Sequence, residues 1–179
     1  MKKVLFAALM TIAVQGVFAQ VNKGQWLVGG NVSFESTKQG DAKSTSFTFS
    51  PKGGYFFADK FAGGLRVDFE STKPKGADAA TDLLIAPFVR YYFLPAADKV
   101  NIFADGSYGF GSSKRLGNSE SLNAFAFSAG PAIFLSPNTA LEFALQYRSL
   151  GGDAIGDDRA NNFGVNIGFQ IHLGGGAKK

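Results

Sequence analysis

The chain has 179 residues, a length that suits one domain and is too short for two ordinary domains and a linker. It contains 19 Phe and 23 Gly but no Cys and a single His, which excludes a disulfide framework, a thiolate zinc site, a cysteine nucleophile and a His-based metal cluster. Its 18 basic and 14 acidic residues are interspersed, so they form no basic stripe for nucleic acid. We expect no cofactor and no nucleic-acid partner.

The first 19 residues have the three regions of a secretory signal peptide. A short positive start is followed by an apolar run over residues 4–14, and the small residue Ala19 precedes Gln20. The apolar run is shorter than the roughly 20 residues that a helix needs to cross a bilayer. We therefore expect cleavage between Ala19 and Gln20, export from the cytoplasm, and a single mature domain over residues 20–179.

From Gln25 onward, apolar and polar residues alternate with a period of two, which is typical of strands with two different faces. For example, Leu65 and Phe69 fall on one face of a predicted strand, while Arg66 and Asp68 fall on the other. Eight such strands are predicted, at residues 25–35, 44–57, 61–71, 80–93, 100–112, 121–134, 139–149 and 161–173.

The connections between these strands alternate in length. Four polar connections of eight to eleven residues are predicted at 36–43, 72–79, 113–120 and 150–160, and three short ones at 58–60, 94–99 and 135–138. An up-and-down meander of eight strands with its long loops at one end is typical of a small transmembrane β-barrel. The fold class predicted is therefore all-β, an eight-stranded antiparallel up-and-down transmembrane barrel after a signal peptide.

Three prolines, Pro51, Pro87 and Pro131, fall inside predicted strands. Proline cannot donate a hydrogen bond to the ladder and normally lies at an edge or a bulge. Because all three fall on the apolar face, we predict a repeated bulge or kink at these positions.

The alternation alone does not decide which face is inside, since a soluble lipocalin-like barrel would enclose the apolar face and a membrane barrel would turn it to lipid. Apolar-face aromatic residues gather at two heights, as expected of two membrane interfaces. Beside the short connections they are Trp26, Phe57, Phe61, Tyr91 and Phe93, and toward the long ones Phe34, Phe47, Phe69, Phe110, Phe125, Tyr147 and Phe163.

The polar face carries charges in the middle of the strands, where a charge facing lipid costs several kcal/mol. We therefore expect these side chains to point into a narrow lumen and to pair there as a polar plug. A proton or ion relay is the alternative function for the same residues. They are Lys52, Arg66, Asp68, Arg90, Asp105 and Glu142.

The last predicted strand resembles the C-terminal insertion signal of outer-membrane barrels, through Asn166, Gly168, Ile171 and Leu173, although residues 174–179 follow it. With the signal peptide and the strand count, residues 25–173 resemble the outer-membrane β-barrel domain family, close in build to small OmpA-type and OmpX-type barrels. The resemblance implies a Gram-negative outer membrane, periplasmic termini and external loops. Its expected partners are membrane lipid and the barrel-assembly machinery, and we expect a monomer.

These features predict a non-enzymatic outer-membrane protein with a structural or surface-interaction role and a plugged, polar lumen. Two alternatives are a transporter or narrow pore for small or hydrophobic solutes, and a soluble periplasmic lipocalin-like protein that binds an apolar ligand. An enzyme of the outer rim is disfavoured because the single imidazole, His172, is predicted at the opposite end of the last strand. No catalytic, metal-binding or cofactor-binding residue is predicted.

Overall fold

The computed structural model describes residues 21–39, 42–76, 79–95 and 98–174. Eight strands, each antiparallel to the next, close into one barrel in which β8 pairs with β1, so the predicted fold class is confirmed. The predicted signal peptide and the cleavage between Ala19 and Gln20 lie outside the described residues. The strands are β1 (Trp26–Gln39), β2 (Ala42–Ala58), β3 (Phe61–Pro74), β4 (Ala80–Tyr92), β5 (Val100–Arg115), β6 (Asn118–Ser136), β7 (Thr139–Gly152) and β8 (Gly156–Leu173).

We call the end of the barrel that contains Trp26 and Leu173 the terminal end, and the opposite end the distal end. The prediction of long polar connections at the distal end is wrong in length, because the strands continue into these segments and leave shorter connections. β5 and β6 pair as far as Arg115 and Asn118. A strand that leaves the bilayer still gains ladder hydrogen bonds, so its polar residues extend the hairpin instead of forming a loop.

The predicted bulges at the three prolines are absent. The β2–β3 register is the same at Phe49↔Phe69 and Lys52↔Arg66, on either side of Pro51, which pairs instead with Gly30 of β1. Pro51 has no N–H group to donate, so the β2–β3 ladder is interrupted locally at this position, but no extra residue is inserted into the strand. The register shifts lie at the strand ends, between Phe56 and Ala58, Phe134 and Ser136, and Leu150 and Gly152.

The outer wall of the barrel is apolar. Phe127 is 61% exposed and Val89 52%, as expected of positions that face lipid. Both predicted aromatic girdles lie on this face, although Phe61 and Phe125 are half-buried, and the side chain of Phe34 lies outside the described part of the chain. The soluble lipocalin-like alternative is not supported, because that fold would turn these side chains inward.

The seam between β1 and β8 is much shorter than the neighbouring ladders. β1 pairs with β8 over six positions, from Trp26↔Leu173 to Asn31↔Gly168. By contrast, β1 pairs with β2 over 14 positions and β8 pairs with β7 over 13. The barrel is therefore closed at the terminal end, and the described parts of β1 and β8 separate toward the distal end.

Candidate functional site

All six charged residues predicted to face the lumen do so, and each is at most 9% exposed. On each strand they alternate with the outward apolar residues, so their side chains point into the lumen. Lys52 lies on β2, Arg66 and Asp68 on β3, Arg90 on β4, and the two remaining carboxylates, Asp105 and Glu142, on β5 and β7. The site is thus assembled from five strands around the lumen.

Four of these residues, Lys52, Arg90, Asp105 and Glu142, form what we call the mid-lumen cluster. The Arg90 guanidinium donates from Nη2 to Asp105 Oδ2 at 2.6 Å and from Nη1 to Glu142 Oε1 at 2.5 Å. Lys52 Nζ lies 3.7 Å from the other Glu142 oxygen. Two cations and two anions thus compensate one another, which is the condition for burying charge in a low-dielectric interior.

Arg66 and Asp68 form a separate pair two residues apart on one strand, where period-two geometry puts both side chains in the lumen. Arg66 donates from Nε and Nη2 to the two Asp68 oxygens at 2.7 and 3.0 Å, and a further bond from Nη2 reaches Ser107 Oγ at 3.1 Å. The sequence places these two charges in the lumen but does not indicate that they pair within one strand.

A further ion pair was not singled out from the sequence. Arg148 on β7 donates to Glu70 on β3 at 3.0 Å. Because β3 and β7 are not neighbours in the barrel, this pair crosses the lumen, on the distal side of Asp68. The signal that identifies it is parity alone, since Glu70 alternates with Arg66 and Asp68, and Arg148 alternates with Glu142.

The terminal half of the lumen is filled by aromatic side chains that the sequence analysis did not assign to it. Phe56, Tyr92, Phe103 and Phe134 are all at most 1% exposed and belong to one buried cluster. His172 packs among them, with its ring 5.4 Å from that of Phe134. Parity again contains the signal, because Phe103 alternates with Asp105 and Tyr92 with Arg90. The plug is therefore aromatic toward the terminal end and ionic toward the distal end.

The segment before β1 covers this aromatic cluster at the terminal mouth. Val21 is fully buried, and its carbonyl accepts a hydrogen bond from Lys60 N at 2.7 Å. Gly24 N donates to Phe56 O at 2.8 Å. These bonds hold residues 21–25 across the end of the barrel, so the lumen is blocked by backbone as well as by side chains.

The free space in the lumen lies on the distal side of the cluster. A cavity of about 40 Å³, roughly the room for three water molecules, is bounded by polar side chains. At the level of the mid-lumen cluster the free volume falls to about 10 Å³, room for one water at most. The larger cavity is lined by Asn31, Thr48, Ser50, Arg66, Asp68, Gln146, Arg148 and Asn166.

Within the described residues, no group of three or more His, Asp or Glu side chains is placed to hold a metal ion. His172 is 1% exposed, and its imidazole Nε2 lies 3.5 Å from the Tyr92 hydroxyl. In the same part of the chain, no helix is long and apolar enough to span a membrane.

The residues of the predicted insertion signal lie along β8. Asn166 lines the cavity, Gly168 pairs with Asn31, and Leu173 ends the strand with an exposed side chain. Ile171 pairs with Val28 of β1. Recognition of these residues during assembly stays a prediction.

The sequence matches the family described as the outer membrane protein β-barrel domain over residues 4–170. No curated protein matches it. The crystal structure of the outer membrane protein OprG from Pseudomonas aeruginosa is similar, with 15% identity and a TM-score of 0.56, over 86% of this chain and 98% of OprG. A de novo designed transmembrane β-barrel is 15% identical with a TM-score of 0.41, over 85% and 98% of the two chains. The likeness to OprG concerns the fold alone.

Proposed function

The chain belongs to the outer membrane protein β-barrel domain family, and on that basis we propose that it is a non-enzymatic outer-membrane barrel with a plugged lumen. Its role is structural, or it binds partners at the cell surface through the hairpins of the distal end. The terminal end faces the periplasm in this proposal. The protein is exported through a signal peptide cleaved between Ala19 and Gln20, which N-terminal sequencing of the mature chain tests.

One observation carries this proposal, namely that ionic and aromatic layers block the same lumen in series. Arg90 is the central contact, since it bonds Asp105 and Glu142 and lies 4.0 Å above the Phe103 ring. An ion crossing along the axis would have to displace these paired charges and then the aromatic cluster. Such a lumen favours stability and closure over conduction.

Single-channel recording in planar bilayers tests the proposal. We expect no reproducible conductance step from the wild-type protein. The double variant Arg90→Ala/Glu142→Ala removes the ionic layer but leaves the aromatic cluster in place, so it is expected to stay closed as well. Repeated steps from the wild-type protein would contradict a plugged lumen, and steps from the double variant alone would show that the aromatic cluster does not block ions.

A narrow transporter for small solutes is the second candidate, and the distal cavity of about 40 Å³ is the observation that favours it. A solute that enters this cavity meets the mid-lumen cluster below it. Transport along the axis therefore requires the Arg90 contacts with Asp105 and Glu142 to break. Uptake of a labelled solute into liposomes, increased by the double variant and measurable for the wild type, would favour this candidate.

Membrane lipid and the barrel-assembly machinery are the partners we propose, with a monomer as the functional unit. A closed barrel has no free edge where all its strands are paired, and such barrels resist unfolding until heated. We expect a mobility shift between heated and unheated samples on a denaturing gel. Substitution of Gly168 and Leu173 is expected to lower assembly in cells more than refolding of the purified chain.

A further inference from the structure

The wall of the barrel is open on the distal side of the Asn31↔Gly168 pair. β8 continues to pair with β7 there, but the described part of β1 no longer pairs with it. Phe163 and Val165, which point outward, are 72% and 67% exposed. Asn162 and Gly164, which have the parity of the lumen face, are exposed as well. Exposure on both faces of one strand indicates an opening from the lumen to the side.

This open seam lies at the depth of the hydrocarbon. Outward apolar residues occupy alternate positions of β8 from Phe163 to Leu173, a span of roughly 33 Å along the strand. With the usual tilt this corresponds to an apolar band of about 25 Å. Only the part from Gly168 to Leu173 is sealed by β1. Backbone groups at the open part cannot bond to water in lipid, so they require a polar partner.

The cavity behind the open seam presents hydrogen-bonding groups without a net charge. Asn31 and Asn166 lie at the seam itself, and Gln146 lies deeper on β7. The charged side chains of the lining are already compensated, Arg66 by Asp68 and Arg148 by Glu70, with contacts of 2.7 and 3.0 Å. Gln146 Nε2 already donates to Ser128 Oγ at 3.2 Å, which leaves its Oε1 as an acceptor. A charged guest would leave one charge without a partner, whereas an uncharged hydroxyl or amide group would bond to the amides of Asn31 and Asn166.

We propose that the open seam and the cavity bind the uncharged, hydrogen-bonding headgroup of a single-chain amphiphile, such as the glycerol group of a monoacylglycerol. The headgroup enters between Asn31 and Asn166, and the acyl chain stays in the membrane beside Val165 and Ile167. The site depends on the membrane placement of the wall and not on the plug. It can therefore fail while the proposed function holds.

Photocrosslinking in phosphatidylcholine nanodiscs tests this site. The full chain is incubated with a diazirine-bearing monoacylglycerol or with a diazirine-bearing fatty acid of equal chain length, and labelled peptides are mapped by mass spectrometry. We expect the monoacylglycerol to label residues 162–167 in preference to other outward positions, and the anionic fatty acid to label them no more than the rest of the wall. Asn166→Leu is expected to weaken this labelling about tenfold, as loss of one hydrogen-bonding partner predicts.

Asn161→Leu is the matched control, because Asn161 lies on the same strand but accepts its bond from Tyr147 on the outer surface. Its labelling should equal that of the wild type. Gln146→Leu serves as a second variant in case Asn166→Leu does not fold, as judged by the heat-dependent gel shift. Equal labelling by both probes, or labelling unchanged in both cavity variants, would overturn the proposal. A chemically crosslinked dimer through β8 without amphiphile labelling would also overturn it, because a second copy would then cover the seam.

Discussion

In the terminal half of the barrel every strand pairs on both sides and the lumen is filled, whereas in the distal half one seam is open and the lumen contains a cavity. The terminal half combines the buried aromatic cluster with the mid-lumen cluster around Arg90. The distal half contains half-buried pairs such as Arg148 and Glu70. The difference suggests that stability is concentrated at the terminal end and that the distal end retains room for ligands or partners.

Replacing the central arginine should produce the largest loss of stability. Arg90→Met removes the guanidinium that bonds both Asp105 and Glu142, and breaking a buried ion pair typically lowers the free energy of unfolding by about 3–5 kcal/mol. Arg148→Met is the matched change in the distal half, where the pair is partly solvated and about 1 kcal/mol is expected. Urea unfolding in lipid vesicles measures both. Equal losses for the two variants would remove the distinction between the halves.

A charge placed on the outer wall compares the sealed wall with the open seam. Val89→Arg puts a guanidinium in lipid on a fully paired strand, and a loss of about 2–4 kcal/mol is expected. Val165→Arg should lose less, because its guanidinium can bend through the open seam to the polar cavity. The same unfolding measurement tests this. A larger loss for Val165→Arg than for Val89→Arg would argue that the seam is closed in the membrane.

The smallest expected effect is at the β5–β6 turn of the distal end. Leu116 and Gly117 have φ of 49° and 85°, as in a type I′ turn, a conformation that a leucine adopts with strain. Leu116→Asn should raise the free energy of unfolding by about 0.5–1 kcal/mol, because asparagine tolerates this region. A control change at the neighbouring surface residue Lys114 should have little effect. No gain for Leu116→Asn would show that the turn is not strained.

The parts of this structure that could be predicted from sequence are those determined by whether a side chain faces lipid or a polar lumen. A charge in lipid is so unfavourable that the parity of Arg66, Arg90 and Glu142 alone places them in the lumen. The same contrast places Phe127 and Val89 outside. The strand number followed from the same alternation, because each strand that crosses a bilayer needs its own apolar face.

Features that depend on backbone pairing or on contacts across the lumen could not be predicted. The distal strand ends have polar residues on both faces, so the alternation that marks a strand is lost although the ladder from Ser113 to Arg115 continues. The pairing of Arg90 with both Asp105 and Glu142 depends on the register of the barrel strands, which no local sequence pattern encodes. Parity does place the inward aromatics, such as Phe103, on the lumen face, but it does not show that they pack together into one cluster.

Carbene photolabelling from the lipid phase tests most directly which face of the wall meets lipid. Phe127 is 61% exposed, and the adjacent Ala126 is 3% exposed on the opposite face of the same strand. In lipid vesicles, a lipid-soluble diazirine should label Phe127 and not Ala126, because its carbene inserts into C–H bonds and needs no ionised side chain. Label at Ala126 with none at Phe127 would contradict the orientation proposed for the wall.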